Sequence, residues 1–236
     1  MSDLDFDFGD LDFDWADLGG REGNDAPAPA EVVADSATDK DPSHITRLQM
    51  FKTRTPTEKM RILSEAALDE VAPWHFEPGV AYHFISAGDV DSLTYLRHIL
   101  KQQRARYVLV STWCMVTRDA EEMRSWLDRG MVGRFDYYVG EIFKNGYRGC
   151  LDVLEATAAA CGGRVARFRN HSKLMVVLGE EWDAVIESSA NVDTNPRTEQ
   201  TCITVGDTGL AHFYLDYFDK INDFDGRFPG WIPFGR

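Results

Sequence analysis

From residue 80 onward, hydrophobic positions switch between alternation, which favours β-strands, and a spacing of three to four residues, which favours helices. In the first half this pattern predicts strands at about Val80–Ser86, Tyr107–Trp113 and Arg134–Val139. Helices are predicted between and after them, at Val90 to about Gln103, Asp119–Asp128 and Gly149–Cys161. A cluster of strands follows, at about Arg164–Phe168 running into Lys173–Leu178, then Trp182–Ser188 and Gln200–Val205. A last helix covers about Gly209 to Ile221.

Strand–helix alternation followed by clustered strands predicts an α/β fold, an α/β/α sandwich with a mixed central sheet. Upstream, Thr55-Pro56-Thr57-Glu58 is a capping box with proline at the first helical position, and it predicts a helix that reaches about Val71. The last residues are rich in Gly, Pro and aromatic side chains, which is typical of an irregular packed arm. We therefore expect one domain over residues 44–236, with a helical extension at about 44–75 and an aromatic arm at about 223–236.

Residues 1–43 differ in composition from the rest of the chain. Leu4–Asp10 and Leu11–Asp17 form a repeat in which aspartate alternates with apolar and aromatic residues, and a linker rich in Ala, Pro, Asp and Glu follows. Such a segment buries too little apolar surface to fold alone, so we expect a disordered tail and linker. Three roles fit it: a solvating tail, a peptide that docks in a partner protein's basic, hydrophobic groove, or a mimic of nucleic acid that folds over this protein's own cleft.

The net charge of −14 is concentrated in that tail. Residues 1–42 hold 13 Asp/Glu and 2 Lys/Arg, which leaves 26 acids and 23 bases for the remainder, so the acidity does not exclude a polyanionic ligand. No run of about 18 apolar residues and no secretory signal is recognisable, so we expect a cytoplasmic protein without membrane association. Four cysteines lie far apart, which argues against a zinc site and indicates reduced thiols: Cys114, Cys150, Cys161 and Cys202.

The most informative stretch for chemistry is Asn170-His171-Ser172-Lys173, which is followed by four apolar residues. A histidine and a lysine two residues apart on a strand point to the same face, so an imidazole and an ammonium are presented together where the strand starts. A second polar cluster lies beyond a tight turn at about Gly179–Glu181 and comprises Glu187-Ser188-Ser189-Ala190-Asn191, Asn195, Arg197 and Glu199. The turn places Ser189 and Asn191 beside His171, which would assemble a nucleophile, a cation for phosphate, polar donors and a carboxylate.

Together these residues resemble the signature of the phospholipase D superfamily. His171-x-Lys173, the apolar strand and Ser188-Ser189-Ala190-Asn191 are similar to its HxK…GSxN pattern. Glu199 falls where that family commonly places a glutamate bonded to the catalytic histidine. The order of elements from about Val80 to Ile221 is similar to a single repeat of the family's fold.

The resemblance implies a mechanism in which His171 attacks phosphorus and forms a phosphohistidine. A second histidine then protonates the leaving oxygen and later activates water, while Lys173 and Asn191 bind the non-bridging oxygens. No metal or cofactor is implied. None of the other histidines has a lysine two positions later, so the second histidine would come from a second copy in a homodimer.

The resemblance predicts the catalytic residues His171, Lys173, Asn191 and Glu199, and the substrate-binding residues Ser188, Ser189, Arg169 and Asn195. Two positions depart from the family pattern. Leu178 stands where members usually carry an aspartate that is regarded as structural, and Ser188 replaces the first glycine of GSxN. Both departures leave open whether the site is active. Arg164, Arg167 and Arg169 lead to His171 and have two interpretations, a phosphate-backbone track or a solvated strand face.

The leading hypothesis is a metal-independent phosphodiesterase, an endonuclease acting on DNA or RNA, because small single-motif members of the family are more often nucleases than lipases. A catalytically inactive adaptor that keeps the fold to bind nucleic acid or protein is the alternative. A phospholipase is the third possibility, and the lack of a basic amphipathic helix disfavours it.

Overall fold

The computed structural model describes residues 56–72, 75–88, 90–192, 197–221 and 231–235. The predicted tail and linker at 1–43 and the candidate residue Asn195 lie outside these ranges. The helices of the described part are α1 Pro56–Val71, α2 Ser92–Gln102, α3 Thr117–Asp128, α4 Arg148–Cys161 and α5 Thr208–Phe218, with a 3-10 turn at Glu141–Lys144. The strands are β1 Ala81–Ser86, β2 Ala105–Thr112, β3 Phe135–Gly140, β4 Val165–Phe168, β5 Leu174–Gly179, β6 Asp183–Ser188 and β7 Glu199–Val205.

The seven described strands form one mixed sheet in the order β1-β7-β6-β5-β2-β3-β4. Only β2, β3 and β4 run parallel to one another, and α3 and α4 supply the crossovers that parallel neighbours require. The other pairs are antiparallel, including β5 and β6, which the short turn after Gly179 joins. The predicted α/β class and mixed sheet are confirmed.

The topology brings one end of most strands to a single edge of the sheet. The parallel strands β2, β3 and β4 end there, at Thr112, Gly140 and Phe168. Because β5 runs antiparallel to β2, its start lies at the same edge, and Leu174 pairs with Ser111. The end of β6 and the start of β7 also meet there. The described candidate residues, which lie between Arg169 and Glu199 in the sequence, are thus collected at this edge.

Helices cover the two faces of the sheet unequally. Helices α1 to α4 contribute to the larger core cluster, which takes alternate sheet residues such as Val108 and Val110. On the other face, α5 packs over Tyr107, Leu109 and Val176. Successive residues of β2 point to opposite faces of the sheet, so the strand contributes side chains to both core clusters. Because both of its faces are buried, its apolar run is not interrupted by polar residues.

A buried polar network ties residues 231–235 to the second face. The carboxylate of Asp136 accepts from the Tyr107 hydroxyl at 3.0 Å and from Trp231 Nε1 at 3.3 Å. The Arg164 guanidinium lies 3.6 Å from the centroid of the Trp231 ring and donates to the Tyr138 hydroxyl at 2.6 Å. Arg164 is buried in this network, so both interpretations of the three arginines, a phosphate-backbone track and a solvated strand face, are wrong at this position.

Within the described ranges, no helix is both long and apolar enough to cross a lipid bilayer. All four cysteines are free thiols.

Candidate active site

The segment before β5 is fixed by the buried side chain of Asn170. Its amide nitrogen donates to Ser111 Oγ at 2.9 Å and to the Tyr138 carbonyl at 2.8 Å. Its Oδ1 accepts from the backbone nitrogen of Ser172 at 3.0 Å and from the Ser172 hydroxyl at 2.7 Å. One buried amide therefore joins the ends of β2 and β3 to the turn that carries His171, and it sets the direction in which that side chain points.

The imidazole of His171 and the ammonium of Lys173 are in direct contact at this edge. Lys173 Nζ lies 2.9 Å from His171 Nδ1 and donates to the His171 carbonyl at 2.8 Å. An ammonium has no acceptor, so the ring nitrogen that it contacts must accept, which only the neutral imidazole can do. The contact therefore favours uncharged His171.

The ring of Trp113 supports the imidazole from the side. The centroids of Trp113 and His171 are 5.4 Å apart, with an angle of 49° between the ring planes. This packing depends on Gly140 at the end of β3, where a Cβ atom would come within 2.7 Å of Trp113 Cδ1 and of the Trp113 carbonyl oxygen. A larger residue at position 140 would displace the wall of the site.

The environment lowers the pKa of both His171 and Lys173. Burial, and then the nearby Lys173 ammonium, lower the pKa of His171 below its ordinary value of 6.5, while Glu141 acts in the opposite direction. Burial lowers the pKa of Lys173, against the attraction of Cys114 and Glu199. His171 therefore stays neutral at neutral pH, and a neutral imidazole is the form that can act as a nucleophile.

Replacing Lys173 with methionine is expected to raise the pKa of His171, because it removes a positive charge but keeps an apolar side chain of similar length. Glu141→Gln is expected to lower that pKa, since it removes the opposing negative charge. The measurement is an NMR titration of the His171 ring, assigned by its disappearance in His171→Ala. Equal values in wild type and both variants would contradict the electrostatic coupling described above.

Ser188, at the end of β6, joins the start of β5 to its neighbours. Its backbone nitrogen donates to the Lys173 carbonyl at 3.1 Å, and its hydroxyl lies 2.8 Å from Thr201 Oγ1. The hydroxyl also accepts from the backbone nitrogen of Ala190 at 3.1 Å. The side chain that replaces the family's glycine is thus held in a network of hydroxyl and backbone groups, and it keeps β6 and the next loop in place.

Three further predicted residues, Ser189, Asn191 and Glu199, lie along the same edge. The Ser189 hydroxyl donates to the carboxylate of Glu199, and Ser189 Oγ accepts from the backbone nitrogen of Gln200 at 3.0 Å. Asn191 Oδ1 accepts from Thr112 Oγ1 at 3.4 Å. The role predicted for Glu199, orienting His171, stays a prediction, because its carboxylate holds Ser189 here while the imidazole contacts Lys173 and Trp113.

An open cleft of about 600 Å³ lies beside His171 and Lys173. Four of the predicted site residues line it: Arg169, His171, Lys173 and Ser188. The rest of its lining includes Phe168, Glu187 and the α5 side chains Phe213, Tyr214 and Tyr217. Arg169 is exposed at the cleft, while Ser189, Asn191 and Glu199 lie to its side at the ends of β6 and β7.

Leu178, the other departure from the family pattern, leaves β5 regular. The strand stays paired through this position, with Leu178 opposite Tyr107 on β2 and Asp183 on β6. Its side chain is buried with Tyr107 and Val176 in the second core cluster. A leucine therefore serves as core packing at this position.

The sequence analysis gave no role in the site to Asn170, Ser111, Trp113 or the aromatic face of α5. Two signals were available. Ser111 and Thr112 are polar residues at the end of an otherwise apolar strand, and Phe213 and Tyr217 are four residues apart on a predicted helix. Neither signal shows which partner lies opposite, because that depends on the pairing of β2 with β5 and on the packing of α5.

No protein-family model and no curated protein matches the chain. Among solved structures, it is similar to polyphosphate kinase from Porphyromonas gingivalis, with a TM-score of 0.50 and 12% identity over 70% of this chain and 29% of the kinase. It also matches TrmBL2, described as an archaeal chromatin protein with a novel mode of DNA binding, with a TM-score of 0.43 and 13% identity over 70% of this chain and 60% of that one. The chain thus spans less than a third of the kinase. At 12% identity, the first similarity shows a shared fold over that part of the kinase.

Proposed function

We propose that this chain is a phospholipase D-like phosphodiesterase in which His171 is the nucleophile. The observation that carries the proposal is the contact between the His171 imidazole and the Lys173 ammonium beside an open cleft of about 600 Å³. A nucleophile beside a cation is what attack on a negatively charged phosphodiester needs, because the cation offsets the repulsion and stabilises charge in the transition state.

In the first step, a nitrogen of His171 forms a bond to phosphorus and the bond from phosphorus to the leaving oxygen breaks. Before this attack, Lys173 exchanges its contact with the ring for one with a non-bridging oxygen, because the imidazole lone pair must be free to bond to phosphorus. In the second step, water attacks the phosphohistidine, the bond between phosphorus and nitrogen breaks, and His171 is regenerated.

The leaving oxygen needs a proton and the attacking water needs a base. Among the described residues, His171 is the only histidine that lines the cleft. A homodimer that places two His171 side chains at one phosphate supplies the second imidazole. Each copy would then serve as nucleophile or as acid and base for the other.

Nucleic acid is the substrate that we propose for this site. Arg169 and Lys173 line the same cleft and offer two cationic side chains to a phosphate backbone. The contact between Glu199 and Ser189 favours a second candidate, an adaptor that binds nucleic acid without cleaving it, because it engages one oxygen of the carboxylate that was predicted to orient the imidazole.

Cleavage of labelled single- or double-stranded DNA or RNA is expected to persist in excess EDTA, because the proposed chemistry uses histidine and no metal. The assay uses the full chain in a sample shown to be dimeric by mass photometry. Loss of cleavage in EDTA contradicts the mechanism. Binding without cleavage supports the adaptor, and hydrolysis of phosphatidylcholine vesicles without cleavage of nucleic acid supports a phospholipase.

A further inference from the structure

Helix α5 presents two aromatic rings to solvent beside the candidate site. Phe213 is 65% exposed and Tyr217 is 57% exposed, although rings of this size are usually covered. They are four residues apart, so they lie on one side of the helix. Both line the cleft that also contains His171 and Lys173.

Each exposed ring packs against the ring of the residue that follows it in the chain. Phe213 meets Tyr214 edge to face, with ring centroids 5.2 Å apart and an angle of 71°. The hydroxyl of Tyr214 donates to Glu187 on β6, and burial together with Glu187 raises the pKa of Tyr214 to about 12, so this donor stays protonated. The exposed ring of Phe213 is therefore packed against a side chain that is itself fixed to the sheet.

The second ring is held in the same way. Tyr217 meets Phe218 at 5.2 Å and 90°, and Phe218 is buried against Tyr138 with ring centroids 4.8 Å apart. Rings fixed in this way lose little conformational freedom when a ligand stacks on them. The two pairs make a preformed aromatic wall.

The charged groups near this wall include both signs. At roughly 100° per residue, His212 projects from the side of α5 away from Phe213 and Tyr217, and neither His212 nor Asp216 lines the cleft. Arg169 and Lys173 supply positive charge to the same cleft, while the lining carboxylate of Glu187 accepts from the Tyr214 hydroxyl. A cleft lined by both cations and exposed aromatic rings matches a single nucleic-acid strand, which offers phosphates to the cations and unpaired bases to the rings.

We propose that Phe213 and Tyr217 form a stacking platform for unpaired bases, so that the site selects single-stranded nucleic acid or unpaired strand ends. This proposal rests on the proposed function, because it names the strand whose phosphodiester His171 attacks. Bases of a duplex are stacked on each other and cannot cover these rings. A lipid surface contacts protruding side chains, whereas these two rings line a cleft.

The test is fluorescence anisotropy with a labelled single-stranded oligonucleotide and its abasic counterpart, using the full chain with His171→Ala to prevent turnover. Adding Phe213→Ala and Tyr217→Ala is expected to weaken binding of the normal oligonucleotide by about tenfold per ring, while binding of the abasic strand stays unchanged. Phe213→Tyr with Tyr217→Phe keeps both rings and is expected to bind as the parent. Leu63→Ala is the matched control, an exposed apolar residue on α1 over the opposite face of the sheet.

Several results would overturn the platform: no binding of any strand, equal affinity for normal and abasic strands, or unchanged affinity in the double alanine variant. Dissociation of a dimer by that variant would instead assign the rings to a subunit interface, and loss of vesicle binding alone would assign them to a lipid surface. Base-dependent binding without cleavage in the wild type would keep the platform and reject the nuclease. Cleavage in EDTA together with base-independent binding would keep the nuclease and reject the platform.

Discussion

His171→Ala is expected to reduce cleavage of nucleic acid by at least about 10³-fold, because it removes the group that forms the covalent intermediate. The side chain is exposed at the cleft and its described contacts are with Lys173 and Trp113, so its loss leaves the core intact. The measurement is kcat/KM in excess EDTA, together with trapping of radiolabelled phosphate on the wild-type chain. An acid-labile, alkali-stable label that is absent from the variant would identify the phosphohistidine.

The matched control for this loss is His212→Ala. His212 is an exposed histidine on the side of α5 away from the cleft, so this variant is expected to cleave as the wild type does. Cleavage by His171→Ala at the wild-type rate would remove the proposed mechanism. Full activity in a sample that is monomeric would remove the requirement for a second copy, and it would direct attention to another proton donor.

Asp136→Ala is expected to lower the free energy of unfolding by about 3–5 kcal/mol, because it leaves buried partners without their carboxylate. Asp136 is fully buried and accepts from Arg134 Nη2 at 3.1 Å and from the backbone nitrogen of Arg164 at 2.8 Å. It also accepts from Tyr107 and Trp231, so one residue fixes the start of β4 and the C-terminal segment at 231–235.

Urea unfolding followed by circular dichroism measures this loss. Asp136→Asn keeps the shape of the side chain but removes its charge. Its free energy of unfolding is expected to lie between that of Asp136→Ala and that of wild type. Asp152→Asn makes the same exchange at an exposed position on α4 and is expected to change stability by less than about 0.5 kcal/mol. A midpoint for Asp136→Ala equal to that of wild type would contradict the role of this carboxylate as the centre of the network.

The hydrophobic pattern alone predicted the order of helices and strands with small errors at their ends. The run Tyr107–Trp113, for example, corresponds to β2 at Ala105–Thr112, and the helix predicted from Gly149 is α4 at Arg148–Cys161. Such elements are set by local spacing and by terminators such as Gly162, which adopts the left-handed conformation with φ 70° at the end of α4. Signals of this kind involve residues that are close together in the chain, so they predict helices and strands without knowledge of the fold.

The sequence also located the start of the candidate site, because His171 and Lys173 are only two residues apart and precede an apolar strand. The predicted placement of both residues on the strand is wrong, because β5 begins at Leu174, but the two side chains do meet. The contributions of Ser189, Asn191, Glu199 and Asn195 to catalysis or binding remain predictions, and Asn195 lies outside the described residues.

Only the tertiary structure decided what surrounds these two residues. The amide of Asn170 reaches Ser111 and Tyr138 because β2 and β3 end beside the start of β5, and the strand order sets that arrangement. Arg164 is buried against Trp231 although its sequence neighbourhood resembles a solvated strand face.

The aromatic wall of the cleft is the clearest case of a feature that the sequence could not place. Spacing on α5 puts Phe213 and Tyr217 on one side of a helix, which by itself indicates a buried face as readily as a binding surface. Their exposure is decided by which side of α5 packs on the sheet, where Ala211, Leu215 and Phe218 are buried. The sequence by itself therefore determined the elements and the pairing of His171 with Lys173, because these depend on neighbours in the chain. The tertiary structure decided the cleft, its wall and its supports, because these depend on contacts between segments far apart in sequence.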